Sequence, residues 1–89
     1  MRRSNKVFLR KVGDVCYLQS QDGFEQKMIL LNNTGAFLWE AMDDSCETEY
    51  LVEALTKEYD VSESKAHEDV QAFLVFLANN DCLDSEEKL

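Results

Sequence analysis

The chain has 89 residues, of which 45% are hydrophobic, and its formal net charge at pH 7 is -9. This size fits a single domain over residues 1–89, and the apolar fraction excludes an intrinsically disordered chain. No apolar run approaches the roughly 20 residues of a membrane-spanning helix, and no secretory signal follows the basic N-terminus. We therefore expect a cytoplasmic protein without a membrane partner.

The first third of the chain predicts an antiparallel meander. Apolar runs rich in strand-favouring side chains occupy residues 6–12, 15–19 and 26–31. Gly13-Asp14 separates the first two runs, and Gln21-Asp22-Gly23 separates the last two. These residue types tolerate the dihedral angles of tight turns, so the pattern favours three short antiparallel strands.

The rest of the chain predicts three helices. The first begins at an asparagine cap, Asn32 or Asn33, and ends at the polar turn of residues 43–45. The second covers the apolar stripe of residues 51–59, and the third, which is the longest, begins after a cap at Ser62. Its core stripe consists of Ala66, Val70, Phe73, Leu74 and Leu77. Strands followed by helices predict an α+β fold.

The charge is distributed unevenly along the chain. Residues 1–13 carry five basic residues and no acid, whereas the other 76 residues carry all 18 acids and four lysines. The larger part therefore has a net charge of -14, which repels phosphate backbones and argues against a nucleic-acid partner. It favours a partner with basic or neutral segments.

Metal, redox and catalytic chemistry find little support in the sequence. The three cysteines, Cys16, Cys46 and Cys82, are widely spaced, and His67 is the single histidine. We expect buried or half-buried reduced thiols, with no disulfide framework, no metal site and no cofactor. No nucleophile–base pair or phosphate-binding loop is visible, so we expect no enzyme and assign no catalytic residue.

Three runs in the chain resemble the PqqD-like domains, a family also called precursor-peptide recognition elements. Residues 30–40, LLNNTGAFLWE, are similar to that family's junction between its third strand and first helix. Residues 51–61 resemble its second helix and the following turn, and residues 69–77, DVQAFLVFL, resemble its third helix. The resemblance covers about residues 7–83.

Two turns depart from the family's pattern. The family often has Asp-Gly between its first two helices, where this chain has Asp43-Asp44. It usually has a glycine after the third helix, where this chain has Asn80-Asp81. Asparagine and aspartate tolerate left-handed dihedral angles better than other non-glycine residues, so we expect the same fold.

The resemblance implies a winged-helix-like fold, in which a three-stranded antiparallel sheet is followed by a three-helix bundle. It implies a non-catalytic carrier or chaperone that captures the leader of a ribosomally made precursor peptide. The leader would bind as an added strand on the third strand, in the groove beside the third helix. The second partner would be a peptide-modifying enzyme, which in this family is often a radical-SAM enzyme, as in pyrroloquinoline quinone (PQQ) synthesis.

The predicted peptide site combines an edge strand with one side of the third helix. An edge strand presents unpaired backbone groups that a peptide can complete. Alternation puts Met28 and Leu30 on one face and Lys27 and Ile29 on the other, and which face looks inward stays open. Phe76 either anchors an apolar leader side chain or covers the sheet. The predicted peptide-binding residues are Lys27, Met28, Ile29, Leu30, Leu31, Asp69, Ala72, Phe73 and Phe76.

A DNA-binding role, the oligomeric state and the function of the N-terminus stay open at the level of sequence. A winged-helix DNA-binding regulator would have a related fold, but residues 62–80 contain one lysine against three acids. The protein is either a monomer or a strand-exchanged dimer. The basic N-terminus is by default a disordered tail before an ordered part of about residues 6–83. It could instead dock on the acidic body or contact the partner enzyme.

Overall fold

The computed structural model describes residues 2–4, 6–20 and 28–84. Their elements, in chain order, are β1 (Arg2–Arg3), β2 (Val7–Val12), β3 (Val15–Ser20), β4 (Met28–Leu31), α1 (Asn33–Ala41), α2 (Thr48–Glu58), α3 (Glu63–Asn79) and β5 (Leu83–Asp84). The predicted α+β fold, with three antiparallel strands before three helices, is confirmed.

The three longer strands form one antiparallel sheet in the order β2-β3-β4. Val12 lies opposite Val15 across the predicted turn, where Gly13 has a φ of 60° that glycine adopts without a Cβ clash. On the other side of β3, Tyr17 lies opposite Leu30. Central β3 therefore has a partner on each side, and β2 and β4 are the two borders of this sheet.

One face of the sheet packs on the helices and forms the core. Leu18, in the middle of β3, is fully buried, and Leu9 and Ile29 pack against the same cluster from the neighbouring strands. The helical part of the cluster consists of Leu38, Trp39, Met42, Leu51, Val52, Leu55, Ala66, Val70, Leu74 and Leu77. Alternation along each strand then turns the intervening side chains to the opposite face.

Local side-chain hydrogen bonds set where two helices begin. The Asn32 side-chain oxygen accepts from the Gly35 N–H at 2.7 Å, and the Ser62 hydroxyl accepts from the Lys65 N–H at 3.1 Å. These are the caps of α1 and α3, and the first resolves the choice between two asparagines. After α3, Asp81 has a φ of 60°, so aspartate here adopts the left-handed conformation for which the family usually has glycine.

The basic N-terminus, for which a disordered tail is the default expectation, is part of the fold at residues 2–4. Arg2–Arg3 pairs antiparallel with Leu83–Asp84. The Ser4 N–H then donates to the Cys82 carbonyl at 2.9 Å. The segment is therefore tied to the end of the chain by backbone bonds, next to the point where the buried Cys82 side chain enters the core.

Arg3 fastens the same segment to the helices. Its guanidinium lies 5.1 Å from the Trp39 ring centroid and donates to the Trp39 carbonyl at 3.0 Å. It also donates to the Asp43 carboxylate at 2.8 Å. A cation over an aromatic face and a neighbouring anion each contribute on the order of 1 kcal/mol or less at a partly exposed site. Of the three interpretations of the basic N-terminus, docking on the acidic body is therefore the one that agrees with the contacts of Arg3.

The remaining expectations about chemistry concern thiols, metals and membranes. Cys82 is buried and Cys16 and Cys46 are partly buried, as predicted for reduced thiols. Over residues 2–4, 6–20 and 28–84, no three metal-ligating side chains gather into a group. No helix within those residues has the length and apolar character to cross a bilayer.

Candidate functional site

Strand β4 is the border of the sheet that lies on the side of α3. One side of β4 pairs with β3, and no other strand in the described part of the chain pairs with its second side. Its four residues, Met28–Leu31, include no charged side chain and no proline. Charged side chains and proline are the features that usually keep a border strand from pairing with another chain. Among the described residues, the backbone N–H and C=O groups on this side of β4 therefore have no strand partner.

The structure decides which face of β4 looks inward. Ile29 and Leu31 are partly buried and pack against the core cluster. Met28 and Leu30 are 65% and 69% exposed. The outward pair therefore contributes little to stability and is available for contact with a ligand.

A groove of about 390 Å³ runs beside this border, between the β4–α1 junction and α3. Its volume lies within the range of sites that hold small ligands or a few peptide side chains. The residues that line it are Leu30, Leu31, Asn32, Thr34, Gly35, Leu38, Asp69, Ala72, Phe73 and Phe76. Two segments that are far apart in the sequence therefore meet at one concave surface.

Most of the residues predicted for peptide binding lie together in this groove. The predicted residues that line it are Leu30, Leu31, Asp69, Ala72, Phe73 and Phe76. Met28 and Ile29 belong to the adjoining strand but do not line the groove, and Lys27 lies outside the described residues. The sequence-based site and the observed groove thus share both of their walls.

Two aromatic rings form the α3 wall of the groove. Phe73 and Phe76 are stacked, with ring centroids 6.4 Å apart and planes 21° apart. Phe73 packs against the core cluster, whereas Phe76 is 37% exposed and does not belong to that cluster. Phe73, predicted in the core stripe, therefore lies where core and groove meet. The exposed ring surface is suited to an apolar ligand side chain.

The floor of the groove includes Gly35, where an added side chain would make tight contacts. A Cβ at Gly35 would lie 3.2 Å from Cε1 of Phe73 and 3.1 Å from Oδ1 of Asn32. The missing side chain thus lets the start of α1 approach the ring on α3. Asn32, Thr34, Gly35 and Leu38 were not predicted as site residues, because their sequence pattern indicates only capping and close packing. Their place directly after the border strand is the signal that could have revealed them.

Among the described residues that line the groove, Asp69 alone carries a formal charge. Its side chain is one-third exposed and forms an ion pair with Lys65, one helical turn earlier, at 3.2 Å. An exposed pair of this kind contributes at most about 1 kcal/mol, so a ligand cation could replace Lys65 at little cost. The groove can therefore hold an apolar side chain at the rings and a basic group at its acidic end.

The chain matches one family model and one solved structure of similar size. The family model is that of coenzyme PQQ synthesis protein D, and it matches residues 16–83. The structure, "TbiB1 in Complex with the TbiA(beta) Leader Peptide", has a TM-score of 0.81 and 24% sequence identity, and covers 99% of this chain and 100% of that chain. No curated protein matches the chain significantly. At this identity the structural match establishes the fold. The family model spans β3 to α3, and on that match the chain belongs to the coenzyme PQQ synthesis protein D family.

Proposed function

We propose that this chain is a non-catalytic carrier that captures the leader of a ribosomally made precursor peptide and presents it to a modifying enzyme. The observation that carries the proposal is the uncharged border of β4 next to a groove with an aromatic wall. Family membership supports it, as does the shared fold with TbiB1, whose structure was solved with a leader peptide.

Binding would proceed by strand addition to β4. Backbone hydrogen bonds to Met28–Leu31 supply affinity that does not depend on the peptide's sequence. Alternate side chains of the added strand face α3 and enter the groove, where an apolar one packs on Phe73 and Phe76. Ala72 leaves room for it, and Asp69 selects for a basic residue nearby. Lys27, which directly precedes Met28 in the sequence, remains part of the proposed site.

The carrier contributes proximity and no bond-breaking chemistry. A leader held on β4 keeps the rest of the precursor close to the enzyme, which raises the effective concentration of the modifiable segment. The receiving enzyme is of the peptide-modifying kind, with the radical-SAM class as the first candidate from the family resemblance. We place this encounter in the cytosol, where ribosomes release the precursor and thiols such as Cys16 stay reduced.

An NMR titration tests the proposal directly. The probe is a synthetic leader of whichever short precursor is found encoded beside this gene, added to the full ¹⁵N-labelled chain, with a scrambled leader as control. We expect chemical-shift changes confined to amides of Met28–Leu31 and of residues 69–76, and slower hydrogen exchange along β4 in the complex. Equal shifts with the scrambled leader, or none in these two segments, would contradict the proposal.

A DNA-binding role finds no observation in its favour. In a winged-helix regulator α3 would lie against the phosphate backbone, which requires lysine or arginine on its surface. The only such residue on α3 is Lys65, and it is paired with Asp69. Glu63 and Glu68 are exposed on the same helix and would repel the duplex.

A further inference from the structure

The face of the sheet that points away from the helices is unusually apolar. Its apolar positions, which none of the core contacts include, are Phe8, Val12, Val15, Tyr17, Met28 and Leu30. We call this surface, together with Arg10 and Gln19, the outer sheet face. In an antiparallel sheet with one packed face, the other face ordinarily carries polar side chains.

The register brings these side chains into contact range across the strands. Arg10, Tyr17 and Leu30 form one row across all three strands, and Val12 and Val15 form a second at the hairpin. The two valines are 58% and 48% exposed. Neighbouring exposed apolar side chains of this kind can form an interaction surface, whereas isolated ones need no explanation.

The charge of this face is opposite to that of the rest of the protein. Strands β2 to β4 contain no acidic residue, and their two charged side chains are Arg10 and Lys11. The guanidinium of Arg10 lies 5.7 Å from the ring centroid of Phe8, so the cation sits on the apolar surface. The whole chain nevertheless has a net charge of -9. The face therefore suits a partner surface that is apolar and carries a carboxylate.

A second copy of the chain is a poor occupant for this face. Two copies would each have a net charge of -9, which opposes their association. A two-fold contact through the face would also bring the two Arg10 side chains towards each other with no acid from either sheet to separate them.

The outer sheet face is continuous with the groove, because Leu30 belongs to both. A leader strand added to β4 would widen the face by one strand. Strands about 4.8 Å apart and roughly 20 Å long give three strands an area of about 300 Å². A contact of this size is weak and reversible, as a carrier that must release its cargo requires.

We propose that the outer sheet face docks the peptide-modifying enzyme, through an apolar enzyme surface with a carboxylate opposite Arg10. The inference rests on the proposed function, since it assumes that an enzyme receives the bound leader. It assigns the two partners to different surfaces: the peptide to the border of β4 and the groove, and the enzyme to the adjoining sheet face.

Two variants of the outer sheet face test this assignment. They are Arg10→Glu and the double change Val12→Ser/Val15→Ser, with Lys57→Glu as a control that makes the same charge change on an exposed part of α2. Biolayer interferometry measures binding to whichever purified peptide-modifying enzyme is found encoded beside this gene, with leader present. Fluorescence polarisation measures binding of the labelled leader alone.

We expect Arg10→Glu to weaken enzyme binding at least tenfold and the valine variant at least threefold, while Lys57→Glu stays within twofold of the wild type. Leader affinity should stay within twofold in all three variants. Enzyme binding unchanged in both face variants overturns the assignment, as does a wild-type chain that binds no enzyme. A wild-type dimer in sedimentation experiments that Arg10→Glu alters would identify a second copy as the occupant and also overturn it. Failure of the wild type to bind leader would instead refute the proposed function.

Discussion

The two borders of the sheet differ in length, charge and surroundings. Border strand β2 has six residues, including Arg10 and Lys11, and Lys11 forms an ion pair with Glu40 of α1 at 2.9 Å. The docked N-terminal segment lies beside it, since Arg3 and residues of β2 line one shallow surface. Border strand β4 has four uncharged residues and faces the groove on α3.

This difference indicates which border accepts a peptide. Cationic side chains on a border strand discourage pairing with another chain, because an added strand would have to desolvate them. Strand β2 has such side chains, and the four described residues of β4, Met28–Leu31, have none. We therefore propose that a leader gains both backbone and side-chain contacts at the short uncharged strand next to the groove with two aromatic rings.

The largest expected effect comes from removing the exposed ring beside β4. Phe76→Ala should weaken leader binding by at least about 2 kcal/mol, or roughly thirtyfold in Kd, because truncating an aromatic anchor removes most of its contact area. Stability should change little, since Phe76 is outside the core cluster. Fluorescence polarisation with labelled leader measures the change. The control is Val75→Ala, an exposed neighbour that does not line the groove; an equal loss there would rule out a specific role for the ring.

The difference between the two borders can be tested by giving β4 two positive charges, as β2 has. The double change Met28→Lys/Leu30→Lys should lower leader affinity roughly tenfold, about 1.4 kcal/mol, since the added strand must desolvate the ammonium groups. Both side chains are exposed, so the unfolding midpoint in urea should hardly move. The same two lysines placed at Val12 and Val15 should leave leader affinity unchanged. Comparable weakening by both pairs would mean that β4 is not the preferred border.

A smaller effect is expected from filling the floor of the groove. Gly35→Ala puts a Cβ 3.2 Å from the Phe73 ring, so the ring must shift and the groove narrows. We expect affinity to fall roughly threefold to fivefold and the melting temperature to fall by about 4–8 °C, as for a loss of about 1 kcal/mol. Circular dichroism and polarisation measure the two effects. Gly13→Ala, at the β2–β3 turn, should lower stability through its left-handed φ and spare affinity.

On the β2 side the expected effect is on stability alone. Arg3→Ala removes the contacts with Trp39 and Asp43, and we expect a loss of about 1 kcal/mol in the free energy of unfolding by urea. Leader affinity should not change, because Arg3 does not line the groove. Lys6→Ala serves as the control for a cation in the same segment. If Arg3→Ala also weakened leader binding, the β2 side would affect the peptide site, and the functional distinction between the two borders would be lost.

The smallest effect concerns the ion pair of β2 at alkaline pH. The hydrogen bond to Glu40, and then its negative charge, raise the pKa of Lys11 above its usual 10.5. A raised folded-state pKa stabilises the fold below the unfolded value, and this contribution is lost as the pH rises through the folded value. The melting temperature of the wild type should exceed that of Lys11→Gln slightly at pH 8, and the two should converge once the pH exceeds the raised pKa of Lys11 in the folded protein. If the difference in melting temperature persisted at that high pH, the stabilisation by Lys11 would come from packing and not from the ion pair.

Much of the fold follows from interactions between residues close in the sequence. A cap such as Asn32 or Ser62 needs only an N–H three residues later, and a turn such as Gly13-Asp14 needs only its own dihedral angles. Periodicity likewise separates strand from helix within a short window. These local effects predict the order of elements, and the family resemblance then predicts which strand and helix share the site.

Contacts between distant segments are not encoded locally in the sequence. The stacking of Arg3 on Trp39 joins residues 36 positions apart, so the basic N-terminus looked like a solvated tail until its partner was in place. Whether Leu30 or Ile29 looks inward depends on the position of the helices, because alternation alone permits either face. Phe73 could be placed between core and groove only by the approach of α1 at Gly35.

The sequence by itself thus determined the α+β order, the caps and turns, and the acidic helices that exclude a phosphate-binding surface. The tertiary structure alone decided that the border of β4 and the rings of α3 form one groove, and that the far face of the sheet is apolar with a single cation. The physical reason is the distance along the sequence over which each effect acts. Dihedral preferences and local hydrogen bonds act within a few residues, whereas a surface is assembled by burial of the whole core.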